Sequence, residues 1–122
     1  ILEYMEKFHL AVESNVLDLG GMDLRQIPPE VNMVLTGLTE LDVSSNLIKR
    51  VEYMDMKNLT NLTTLHLDFN RIKAVPEHIK GFTNIQHLNL GFNIFKTLPH
   101  ELGALPLLET LTYDGITLER PP

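Results

Sequence analysis

His66 and His87 are the side chains from which acid–base chemistry near neutral pH would be built. His66 lies 24 residues after Asp42 and 23 before Asn89, and His87 lies 23 residues after Thr64 and 19 after Asp68. Such groups could support proton transfer or hold a metal ion. Neither chemistry completes itself here. No ordered nucleophile, base and orienting group accompany the histidines, and their spacing matches no compact metal-ligand pattern. The chain has no Cys, which removes a thiol nucleophile, thiolate metal sites and disulfides together, and favours a reducing compartment. A non-catalytic protein with no metal and no cofactor is the expectation. The triplets Asn58-Leu59-Thr60 and Asn61-Leu62-Thr63 are short, common patterns and are read as coincidence.

What places these side chains is a repeat. Leu38-Thr-Glu-Leu41-Asp-Val43-Ser-Ser-Asn46, Leu62-Thr-Thr-Leu65-His-Leu67-Asp-Phe-Asn70 and Ile85-Gln-His-Leu88-Asn-Leu90-Gly-Phe-Asn93 align without a gap. Each is followed two places on by an apolar residue: Ile48, Ile72 and Phe95. Weaker copies flank them at Leu17-Asp-Leu19, with Met22 in the Asn position, and at Leu108-Glu-Thr-Leu111-Thr-Tyr113. The anchor leucines at 17, 41, 65, 88 and 111 stand 24, 24, 23 and 23 residues apart, a regularity that chance does not produce.

Over residues 15–122 this pattern resembles the leucine-rich-repeat superfamily. Ile27-Pro28-Pro29-Glu30-Val31, Val75-Pro76-Glu77-His78-Ile79 and Leu98-Pro99-His100-Glu101-Leu102 look like the L-P-x-x-I/L segment of its intracellular 23-residue Ras-group class, the class of Scribble, Erbin and the Ras suppressor protein. Val51-Glu52-Tyr53-Met54-Asp55-Met56 has no Pro, so a differently shaped convex turn is expected there. The resemblance implies an α/β solenoid with a curved, short-stranded parallel sheet on the concave face and irregular or short helical segments on the convex side. It also implies that Asn46, Asn70 and Asn93 bond backbone groups of the turn and the next repeat. Implied too are a protein partner, a small GTPase or a kinase among them, and a cytoplasmic location.

The physics agrees with that architecture. Alternate residues of a strand point to opposite faces, so the paired leucines point inward and the residues between them outward. One repeat cannot bury its own apolar side, whereas stacked copies form a continuous core. Leu41, Leu65, Leu88 and Leu111 form one predicted ladder, and Leu35, Leu59, Phe82 and Leu105 another on the convex side. The division expected is a capping helix over residues 1–14 and five repeats over 15–37, 38–61, 62–84, 85–107 and an incomplete 108–122. In the helix, Ile1, Met5, Phe8 and Val12 recur at helical spacing and form the predicted buried face.

Recognition is expected on the outward columns of the concave face. One column reads Asp18, Asp42, His66, Asn89, Thr112; its neighbours carry Glu40, Thr64, His87 and Ser44, Asp68, Asp114. Three residues beyond each Asn position, Arg25, Lys49, Lys73 and Lys96 form a basic row ended by Glu119, read as a solubilising edge or a ridge for acidic groups of a partner. Phe69 and Phe92 precede Asn in adjacent repeats and are expected to pack along the turn. The chain stops midway through a repeat, at Asp114-Gly115-Ile116-Thr117-Leu118-Glu119-Arg120-Pro121-Pro122. An open last strand predicts self-association that buries Leu108, Leu111, Tyr113 and Leu118.

The net charge of -6 argues against nucleic-acid binding, which needs a basic footprint. No apolar run reaches the roughly 20 residues of a membrane-inserted helix. The first residue is not Met, so an excised piece of a longer chain is expected. The function expected is a protein–protein interaction module in intracellular signalling, an adaptor or regulator. Two alternatives stay open: a sensing or targeting domain of a larger signalling enzyme, and a secreted or surface recognition module of a microbe.

Overall fold

Each Leu-x-Leu segment forms a short strand in the computed structural model, which describes residues 2–98 and 100–114 and the backbone of 116–119. The strands are β1 (Val16–Asp18), β2 (Glu40–Asp42), β3 (Thr64–His66), β4 (His87–Asn89) and β5 (Thr110–Tyr113). They pair in parallel and in sequence order, so that Leu17, Leu41, Leu65, Leu88 and Leu111 face one another across successive pairs. Leu17, Leu41, Leu65 and Leu88 are buried in one continuous core, while Leu111 is partly buried against it.

The return path of each repeat supplies the opposite wall. Leu35, Leu59, Phe82 and Leu105 are all buried, as the repeat alignment predicts. Short helices lie on the convex side: α2 (Pro29–Val34), α3 (Tyr53–Met56) and 3-10 turns at Glu77–Gly81 and His100–Ala104. Pro28 and Pro76 start two of them with φ near −58° and −69°, the value the proline ring imposes. The repeat without Pro starts differently. Glu52 caps α3, and the Asp55 carboxylate accepts the Glu52 N–H at 2.8 Å, completing a capping box.

The N-terminal helix α1 (Leu2–Ser14) packs against β1, as expected, on a face that keeps Phe8 from the predicted one but turns Met5 and Val12 outward. Ala11 is the buried residue, with Tyr4 and Phe8 packed on the core. Met5 and Val12 are exposed, and Ile1 lies outside the described residues. The stripe Tyr4, Phe8, Ala11 follows helical spacing equally well. Small Ala11 lets the helix backbone approach the first repeat, and the Tyr4 hydroxyl donates to the Glu30 carboxylate of α2. Burial, reinforced by Glu30, pushes the Tyr4 phenol above its ordinary range. Ala11→Leu should therefore cost about 1–3 kcal/mol by overpacking. Val12→Lys should change stability by no more than about 0.5 kcal/mol in the same denaturant series, and similar losses at both positions would contradict this face.

The C-terminal end also corrects an expectation. The chain does not leave β5 as an open edge: it turns back at Asp114, whose φ is 49°, and β6 (Ile116–Glu119) pairs antiparallel with β5. Leu108 is already buried within the chain, and the β5 edge is hydrogen-bonded to β6. The edge invoked for self-association is thus occupied by the chain itself. The side chain of Leu118 lies outside the described residues.

Candidate functional site

The Asn positions build the rim of the concave face. Asn70 donates from Nδ2 to the carbonyls of Val43 at 3.0 Å and Leu67 at 3.1 Å, and its Oδ1 accepts the Ile48 N–H at 3.0 Å. Asn46 and Asn93 bridge repeats in the same way, to Leu19 and Leu67 carbonyls at 2.9 Å. One amide per repeat thus satisfies backbone groups that burial would otherwise strand. The residue before each of these positions is left-handed: Gly21, Ser45, Phe69 and Phe92 have φ of 69°, 55°, 54° and 55°.

The register brings the predicted column together as Asp18, Asp42, His66, Asn89 and Thr112, side by side. The preceding column aligns Glu40, Thr64, His87 and Thr110. Backbone bonds from Ser45 to Asp68 and from Phe69 to Gly91 carry the ladder past the strands, placing Ser44 and Asp68 at its far end. Asp114 is exposed where the chain turns into β6. Among the described residues no Lys or Arg occupies a strand position, so Asp18, Glu40, Asp42 and Asp68 form an acidic face without an internal cation.

Several of these residues also hold the turn, a role the sequence reading did not give them. Asp18 Oδ1 accepts the Gly20 N–H and Asp42 Oδ1 the Ser44 N–H, both at 2.9 Å, and Asn89 Oδ1 accepts the Gly91 N–H at 3.1 Å. His66 interrupts that series. In its repeat, Asp68 Oδ1 is buried without a hydrogen-bond partner. Burial raises the Asp68 carboxyl above its usual range and the Asp42 charge adds to the rise, while its own N–H and His66 oppose it.

A raised folded-state pKa means that the folded chain binds the Asp68 proton more readily than the unfolded one. Stability therefore falls as pH rises from the unfolded value through the folded value. Asp68→Asn should flatten that acid-side slope and leave neutral-pH stability unchanged or slightly higher. Thermal unfolding from pH 3 to 7 checks it, and an unaltered slope would contradict the assignment.

The acid–base set considered from the sequence does not assemble around His87. Its Nδ1 lies 2.8 Å from Thr110 Oγ1 and its Nε2 3.8 Å from Glu109 Oε2, so its ring nitrogens are engaged at the start of β5 and just before it, while Thr64 stands beside it in register. Asp42, His66 and Asn89 do stand in one row, on an open sheet surface. Among the described residues no group of three His, Asp or Glu side chains is arranged to hold a metal ion.

Phe69 and Phe92 stand where the strands turn toward the convex side. Their rings stack at 4.5 Å and 11°, yet the residues are 52% and 55% exposed. The expected packing along the turn is thus a packing of the two rings on each other. Their left-handed backbone costs on the order of 1–2 kcal/mol for a bulky residue, where Gly21 has none of that penalty. The basic row is exposed throughout: Arg25, Lys49, Lys73 and Lys96 all reach solvent. Arg50, absent from the sequence-derived row, joins Lys49 in lining two adjoining grooves of about 320 and 380 Å³, the first shared with Arg25 and the second with Lys73.

This is the architecture of a stacked-repeat binding solenoid, and the leucine-rich-repeat family matches residues 15–72 and 60–115. The chain belongs to that family, whose repeats generally mediate protein–protein interaction. It is similar to a leucine-rich-repeat protein of Leptospira interrogans, with a TM-score of 0.70 and 26% identity over 88% of this chain and 28% of that one. It also shares its fold with a chain of the Drosophila Toll–Spätzle complex, at a TM-score of 0.70 and 23% identity over 79% of this chain and 13% of the other. Trophoblast glycoprotein of Macaca fascicularis is 33% identical over 61 residues. That match spans 50% of this chain and 14% of the glycoprotein.

Proposed function

We propose that this chain is a non-catalytic docking module that binds a protein partner on its concave face. The observation that carries the reading is the acidic, Lys- and Arg-free strand surface bordered by two half-exposed stacked phenylalanines. Uncompensated charge steers and orients a partner, and exposed aromatics anchor it. The residues assigned are Asp18, Glu40, Asp42, Ser44, Thr64, His66, Asp68, His87, Asn89, Thr112 and Asp114, with Phe69 and Phe92 at the rim. The partner surface that fits is basic, with an apolar spot for the rings.

The absence of Cys supports the intracellular, Ras-group reading, in which the module serves an adaptor or regulator in signalling and the partner is a small GTPase or kinase. A domain of a larger signalling enzyme fits the same surface. One observation favours an extracellular alternative: Asn61 of an Asn-Leu-Thr triplet is exposed, whereas Asn58 of the other is bonded to Asn32. Affinity capture with the immobilised chain, run beside a Glu40→Lys/His66→Lys variant, tests the docking reading. Partners lost with the variant support the face, and an unchanged set of captured proteins contradicts it. Fractionating cells that express the full-length protein, with a glycosidase mobility shift, decides the compartment.

A further inference from the structure

We propose that the flank lined by Arg25, Lys49, Arg50 and Lys73 is a second binding surface, which takes an extended acidic segment of a protein. It lies where the chain leaves the strands for the convex side, so it is separate from the strand columns. Lys49, Arg50 and Glu52 line both grooves, making them one continuous track across three repeats. Arg25, Lys49 and Lys73 have no ion pair among the described residues, and Arg50 meets only the exposed Glu52, at 4.0 Å. The second carboxylate of the track, Asp55, is committed to capping α3 through the Glu52 N–H. The track therefore keeps an excess of positive charge in a chain of net charge -6.

Cations in register repel one another, and an anionic ligand laid along them relieves that repulsion. Sheet rungs are about 4.8 Å apart, so the row from Arg25 to Lys73 extends at least roughly 10 Å, the reach of about three extended residues. Gln26 offers an amide for a peptide backbone, while Val51, Ala74 and Pro76 offer apolar contact for side-chain stems. A long uniform polyanion would have to run past the row, onto a molecule whose remaining charge is negative. A short acidic peptide segment stays on the track.

The test is titration of isotope-labelled protein with a hexaglutamate peptide in low salt, followed by amide chemical shifts. The expected shifts fall on residues 25–26, 49–52 and 73–76. Lys49→Gln/Lys73→Gln should weaken binding about tenfold or more, and raising the salt should weaken it further. These side chains are exposed, so thermal unfolding should show a retained fold. Glu40→Lys/His66→Lys should leave hexaglutamate binding to residues 25–26, 49–52 and 73–76 unweakened, which keeps this surface distinct from the concave face. Shifts centred on the strands, or no binding at about 1 mM peptide, would overturn the proposal. So would tighter binding of a heparin hexasaccharide or a DNA duplex to the same residues, because the track would then select a different polyanion.

Discussion

Asn70→Ala is expected to lower the unfolding free energy by about 3 kcal/mol, out of the roughly 5–15 kcal/mol that a domain typically has. Asn70 is 7% exposed. Its Nδ2 serves the carbonyls of Val43, Leu67 and Asp68, and its Oδ1 serves the Ile48 N–H. Alanine leaves those groups short of partners in the interior, at about 1 kcal/mol or more apiece. The loss falls in the middle repeat, where it interrupts stacking in both directions. Asn70→Asp should be at least as damaging, because a carboxylate accepts but cannot donate to three carbonyls. Urea unfolding of the two variants beside Asp68→Asn checks this, with the slope watched for lost two-state behaviour. Comparable effects at positions 68 and 70 would contradict the division into a buried bracket and an outward face.

The second large effect concerns binding. Phe69→Gly with Phe92→Gly should weaken a captured partner by about 2–4 kcal/mol, the scale of aromatic anchors at interfaces. The fold should not suffer equally. Glycine accepts φ values of 54° and 55° without the penalty that phenylalanine bears, which offsets the loss of the ring stack. The pair of measurements separates two explanations for the rings. Affinity lost with stability kept assigns them to recognition. Stability lost with affinity kept assigns them to packing along the turn.

How far the molecule was legible depended on whether a residue's role repeats. Leu17, Leu41, Leu65, Leu88 and Leu111 announce their ladder because every repeat imposes the same inward direction on them. Asn46, Asn70 and Asn93 were legible through the family likeness, and their bonds follow the predicted pattern. The ends are where the reading strayed, since no neighbouring copy fixes them. In α1 the stripes through Met5 and through Tyr4, Phe8 and Ala11 have equal periodicity, and burial follows the small residue that allows close approach. At the other end, Asp114-Gly115 is a two-residue hairpin sequence, a local signal that the repeat period does not carry.

The candidate face was legible as columns, because register follows from the period. The double duty of Asp18, Asp42 and Asn89 was not, since it depends on a side chain folding back on its own turn. Nor was the stranded oxygen of Asp68, since burial without a partner depends on how the carboxylate seats itself on the sheet. Arg50 escaped the repeat alignment for a simpler reason: it sits one place beyond the aligned basic position, and only the groove shared with Lys49 brings it into the row.

Charge reversal on the concave face tests the central claim most directly, and the structure decides which residues to reverse. Asp42 holds the Ser44 N–H, so replacing it would alter the turn as well as the charge. Glu40 and His66 lie in adjacent outward columns, on neighbouring strands that are already paired. Titration calorimetry of a captured partner against Glu40→Lys/His66→Lys should show affinity reduced by well over tenfold, beyond about 1.4 kcal/mol, with an unchanged unfolding midpoint. Full affinity with both substitutions in place would contradict the account and move the partner off the concave face.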